Sequence, residues 1–167
     1  MTIAMVRAQE LLFCFQNELQ APHSKPILPE HVMLRAGAQV TPLLSLSDDE
    51  CCRGLGWVRI ANISGVREIN STAPQDARCF GQERVLTLEI GAARCAPTPG
   101  ASQIPGEDEW SAVAMLLDED QGAMERAICC AFSELDDVAV GDYEPFGQDG
   151  NCIGGTMQVL VTMEACC

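Results

Sequence analysis

The stretch Glu83-Arg-Val-Leu-Thr-Leu-Glu-Ile-Gly-Ala-Ala-Arg94 decides how this chain is read. Leu86, Leu88, Ile90 and Ala92 fall on one side of an extended backbone, and Thr87 and Glu89 fall on the other. Successive side chains of a strand point to opposite faces, so the pattern predicts a strand over 83–94. Two-sided alternation of this kind predicts an antiparallel sheet with one buried face and one wet face.

Three further segments fit the same sheet. Val58, Ile60 and Ile63 make 56–64 a strand, and Val138 to Tyr143 reads as a short one. In 156–164, Met157, Val159, Val161 and Met163 alternate with Thr156, Gln158, Thr162 and Glu164. The turn-rich run Gly147 to Gly155 between the last two is expected to be a hairpin connection.

Helical spacing brackets these strands. Ala4, Ala8, Leu11, Leu12, Phe15 and Leu19 place an amphipathic helix over 3–20, closed by Pro22. Trp110, Val113, Ala114, Leu117, Met124, Ala127, Ile128, Ala131, Phe132 and Leu135 predict a second helical region from Glu107 to about residue 136. The polar stretch Asp118–Gln121 and Gly122 divide it into two helices, Asp118 and Gln121 serving as a capping box. The expected fold is α+β in the order α–β–β–α–β–β. It is a four-stranded, mainly antiparallel or mixed sheet with helices on one face, in a single domain of residues 1–167. Residues 21–55, with Pro22, Pro26, Pro29 and Pro42, and the Pro/Gly-rich 95–106 are expected to be extended loops or arms.

Charge is distributed unevenly. The 167 residues carry 24 acids and 10 bases, a formal charge of −14. Residues 1–106 contain 10 acids and 9 bases, whereas 107–167 contain 14 acids and a single base, Arg126. The last third therefore lacks the cations that tight binding to a nucleic-acid backbone requires. It suits a surface that repels polyanions or meets a basic partner. No apolar run approaches the ~20 residues of a membrane span, and the N-terminal stretch does not read as a leader, so the chain is expected to be soluble and not secreted.

The 10 cysteines include three adjacent pairs, Cys51–Cys52, Cys129–Cys130 and Cys166–Cys167, and no CxxC. Neighbouring residues of a helix or strand point apart, so such doublets chelate metals poorly. Buried, mostly reduced thiols are the default expectation. His23 and His31 both lie in the Pro-rich segment and read as exposed loop residues, which leaves little material for Ser–His–Asp or Cys–His chemistry. Acidic runs such as Asp118-Glu119-Asp120 and Asp136-Asp137 read as solvated faces rather than acid–base pairs. Nothing in the pattern assembles a catalytic constellation, a metal site or a cofactor site.

Four segments resemble the tail terminator proteins of long-tailed, siphovirus-type phages of actinobacteria. They are Trp57-Val-Arg-Ile-Ala61, Val85-Leu-Thr-Leu-Glu-Ile90, the acidic helix leading to Ala127-Ile-Cys-Cys130, and Gly150-Asn-Cys-Ile-Gly-Gly-Thr-Met-Gln-Val-Leu-Val-Thr162. The resemblance implies helices on a mixed sheet, subunits closing into a hexameric ring, and no enzymatic activity and no cofactor. That ring would sit in the virion at the head-proximal end of the tail, after assembly in the host cytoplasm. Its partners would be further copies of itself, the tail-tube protein and the neck or connector proteins of the head. DNA would pass through without tight binding, and no membrane is involved. Asp118, Glu119, Asp120, Glu125, Asp142 and Glu144 are the candidate lumen-lining acids. Head-completion or stopper proteins of the phage neck are the near alternative. A cysteine-rich metal or redox protein is the alternative of a different class.

Overall fold

A computed structural model describes residues 1–35, 53–65, 84–97, 104–149 and 152–163. Helix α1 spans Ile3–Glu18 and begins on Thr2, whose hydroxyl accepts from the Met5 backbone N–H at 3.4 Å. Ala4, Ala8, Leu11 and Phe15 make its buried stripe, with Leu19 buried just beyond its end. A one-turn 3-10 helix at Pro29–His31 leads to β1, Val32–Arg35. Strands β2, Leu55–Gly65, and β3, Arg84–Cys95, come next. Helix α2, Glu107–Phe132, precedes β4, Val138–Asp149, and β5, Cys152–Met163.

The five strands form one mixed sheet in the order β1-β2-β3-β5-β4. β1 runs parallel to β2, and every other neighbouring pair is antiparallel. Both helices pack against the sheet. Their apolar residues share one core with Val58, Leu86, Leu88, Ile90, Ala92, Met157, Val159 and Val161. Full burial of side chains the size of Leu11 or Phe15 stabilises by roughly 1.5–3 kcal/mol each.

α1 and α2 lie antiparallel. Arg126 Nε donates to Glu18 Oε2 at 2.6 Å, and one turn farther on a disulfide joins Cys14 to Cys130. The bond spans a sequence separation of 116 residues, and disulfides typically stabilise by about 2–4 kcal/mol, chiefly by constraining the unfolded chain. Cys95 and Cys152 are also disulfide-bonded, and Cys129 is free and exposed. The expectation of mostly reduced, buried thiols is therefore overturned for the described residues: antiparallel packing brings two helix positions within bridging distance, which spacing along the chain does not reveal.

Four other expectations change. The segment 21–55 is not wholly an arm, because Val32–Arg35 adds a fifth, parallel strand. Helix α2 runs unbroken through Gly122, and its start is instead fixed at Gly106, whose N–H donates to Glu109 Oε2 at 3.3 Å. β4 extends to Asp149 and β5 begins at Cys152, so most of 147–155 is strand rather than loop. Finally, the face expected to be wet is largely closed where Glu89 sits. Leu55, Trp57 and Ala93 form a second small core there, with Met33 and Phe146 packed against it. Glu89 itself is 8% exposed. The Asp48–Cys52 run, Cys79, Cys166 and Cys167 lie outside the described residues.

Candidate functional site

The most concentrated polar chemistry lies where α2, β3 and the segment after α1 meet. Leu19 caps α1, and the chain then turns through Pro22, carrying His23 beneath α2. Its ring is 1% exposed and lies between two carboxylates. Nδ1 is 2.9 Å from Glu119 Oε2, and Nε2 is 3.0 Å from Asp120 Oδ1. The Lys25 N–H also points at Nδ1 at 3.4 Å, and Arg94 Nη2 lies 3.4 Å from Nε2. The sequence pattern places both histidines in solvent. The His23 ring is instead buried, and His31 is half-buried, its Nδ1 lacking a hydrogen-bond partner.

Asp120 has a second cation. Arg94, on β3, donates from Nε to Asp120 Oδ2 at 2.8 Å and from Nη2 to Oδ1 at 2.6 Å. This fork-to-fork geometry is the strong form of a charge-assisted hydrogen bond. Arg94 Nη1 then donates to the Lys25 carbonyl at 2.7 Å, tying the loop to the sheet. Gly54, at φ +81°, backs onto the same guanidinium; a Cβ there would meet Arg94 Nη1 at 3.0 Å and the Ile27 side chain closer still. Glycine is thus required at this point both by backbone conformation and by space.

Glu119 closes the cluster on its solvent side. Partial burial alone would raise its pKa. Hydrogen bonds from the Ser24 N–H at 3.0 Å and hydroxyl at 2.9 Å, with the His23 ring, outweigh that and hold it below the ordinary glutamate value. Tyr143 faces the cluster from β4. Burial and then the negative charge of Asp120 push its phenol up to about 12, and its hydroxyl has no hydrogen-bond partner. Two carboxylates, one guanidinium and one imidazole thus meet around a buried point. Every charged member is already engaged by another, so the arrangement locks α2, β3 and the segment after α1 together.

On the opposite face of the sheet, Glu89 accepts from Trp57 Nε1 at 3.1 Å and from Arg59 Nε at 2.7 Å and Nη2 at 2.5 Å. The Trp57 ring lies over Gly91, where no side chain would fit. This is a second structural pairing of buried charge. Among the described residues no group of three or more His, Cys, Asp or Glu side chains is placed to hold a metal ion. No described helix is long and apolar enough to cross a membrane.

The six candidate acids do not form one surface of the monomer. Asp120 is 1% exposed and neutralised within the protein, so its charge is unavailable to any lumen. Glu119 is partly exposed but bound to Ser24 and His23. Asp118 and Glu125 are exposed and share a face of α2, being seven residues apart; Gln121 Nε2 donates to Glu125 Oε1 at 3.1 Å. Asp142 lies in the β4 bulge, and Glu144 points to the sheet face away from the helices, paired in register with Thr156. Sequence reasoning missed Arg94 and His23 as members of any cluster. The one available signal was a basic residue ending an otherwise apolar strand face.

Helix α2 itself changes character at this cluster. From Asp120 onward, Ala123, Met124, Ala127, Ile128 and Phe132 are buried. From Glu107 to Glu119 no residue is buried, although Trp110, Val113, Leu116 and Leu117 continue the same angular stripe at about 100° per residue. Trp110 is 39% exposed. Val113, Leu116 and Leu117 are half-buried, and none belongs to the core formed by the described residues, so the core-facing stripe of α2 runs on past the end of that core.

No known protein-family profile matches this chain, and no curated protein matches it.

Proposed function

We propose that this protein is a ring-forming structural component of a phage tail, of the tail-terminator type. In this reading it caps the head-proximal end of the tail tube, ends tube polymerisation and offers the surface that joins the head. The observation that carries the proposal is the overrunning stripe of α2. An apolar helix face that continues beyond its own core suits burial by a neighbouring subunit. β1 and β4 are the outer strands of the sheet formed by the described residues, which supports it as well, since ring neighbours can cover strand edges.

The work done is steric and electrostatic. A ring seated on the last layer of tube protein blocks addition of the next. Exposed acids on the channel wall keep DNA phosphates from adhering as DNA passes. Of the six candidates, Asp118, Glu125, Asp142 and Glu144 are the ones with exposed side chains. Because Asp118 and Glu125 lie on the helix layer and Glu144 on the opposite sheet face, one of these two sets lines the channel.

Mass measurement of the purified protein with negative-stain imaging tests the ring, with a species of six times the 18.0 kDa chain expected. In infected cells, loss of the protein should give over-long, headless tails. Tails of normal length without heads would instead assign it to the stopper position in the neck.

A further inference from the structure

We infer that the free half of α2 docks on the Lys25–Arg53 corner of the next copy, so that ring neighbours join head to tail. The inference rests on the ring reading and names the surfaces that make it. Residues 107–118 hold four exposed acids, Glu107, Asp108, Glu109 and Asp118, and no base. Their apolar stripe, Trp110, Val113 and Leu117, needs a partner whose rim is basic.

A symmetric pairing of two such helices would set acid against acid and is disfavoured. Two exposed bases near the root of α2 offer a counter-surface among the described residues. Lys25 and Arg53 are both exposed, and among the described residues neither side chain has an acidic partner. Their backbones are drawn to one place, because the Lys25 carbonyl and Gly54, next to Arg53, both abut the Arg94 guanidinium. Leu28, 50% exposed, adds an apolar neighbour three residues from Lys25.

Glu119 of the same chain is already taken up by Ser24 and His23, and the acidic tip of α2 cannot reach this corner from within its own chain. α2 leaves the body beside the corner, at Asp120, and its acidic tip at Glu107 lies 13 residues farther along, roughly 20 Å away at ~1.5 Å per residue. The tip of one copy therefore reaches the corner of another. Such a contact uses two different surfaces, so it is heterologous, the kind of contact from which closed rings are built. Trp110, near the tip, supplies the large apolar anchor that dominates interfaces of this kind.

The test is sedimentation of the full-length chain over a concentration series, with thermal melting of each variant to check folding. Glu107→Lys with Asp108→Lys, and separately Lys25→Glu with Arg53→Glu, should each raise the half-assembly concentration by at least about tenfold. All four substitutions together should restore assembly toward the wild-type level, because both sides of the contact are reversed. Trp110→Ala should weaken assembly at least as much as either charge pair. Rings that persist unchanged in the Trp110→Ala and charge-pair variants overturn this contact and leave the ring reading intact. A wild-type chain that stays monomeric at every concentration, and also when mixed with tail tubes, overturns the ring reading itself.

Discussion

The two halves of α2 share one amphipathic spacing and have opposite surroundings. Residues 120–132 place their apolar stripe against α1 and the sheet, whereas 107–119 present the same stripe beyond the core. The boundary is the Asp120–Arg94–His23 cluster, which pins the helix as it leaves the body. Hydrophobic periodicity reports which face of a helix is apolar. It does not report whether anything lies beneath that face.

The largest expected contrast is between two neighbouring acids. Asp120→Asn removes the charge facing buried Arg94, and breaking a buried pair from one side costs about 3–5 kcal/mol. Asp118→Asn, on the exposed face, should change stability by no more than ~0.5 kcal/mol. Denaturant midpoints measure both. Equal losses would mean that the boundary does not fall at Asp120.

Two methionines give the next contrast. Met124 is fully buried, so Met124→Ala should cost about 2–5 kcal/mol through lost contacts and an unfilled cavity. Met115 is 68% exposed, and Met115→Ala should stay within ~0.5 kcal/mol in the isolated chain. A large loss at Met115 under monomeric conditions would show that the side of α2 opposite its apolar stripe is covered within one subunit.

The smallest effect is a titration. Tyr143 is the only tyrosine in the chain, so tyrosinate absorbance reports it alone. Its folded-state pKa, about 12, lies above the ordinary value of 10.0, so the folded chain holds this proton more tightly than the unfolded one. Stability from this group is fully present below about pH 10 and is lost as pH rises from there toward about 12. Asp120→Asn, which removes the neighbouring charge, should lower the midpoint. A wild-type midpoint at the ordinary tyrosine value of about 10 would place Tyr143 in solvent, away from the cluster.

Much of the fold was legible in sequence because its signals are local. Val85–Ile90 and Met157–Met163 alternate strictly, and Ala4–Phe15 repeats at helical spacing; each pattern is complete within one element. β1 was not legible, since four residues after a proline-rich stretch are too few to establish a period. Nor was the continuity of α2 through Gly122: a single glycine costs a helix about 1 kcal/mol, which burial of Ala123, Met124 and Ala127 outweighs. The polar cluster was misread for a different reason. His23 and Asp120 look like solvent-facing residues until Arg94, 26 residues from Asp120 along the chain and on another element, is brought against them.

The sequence by itself determined the alternation of helix and strand, the apolar face of each element, and the −13 charge of residues 107–167, where 14 acids meet one base. Only the tertiary structure decided which of those charges are exposed, which cysteines are joined and where the stripe of α2 loses its core. Faces and periods follow from the backbone geometry of one segment. Burial and pairing depend on which segments meet, and that is settled by the packing of the whole chain.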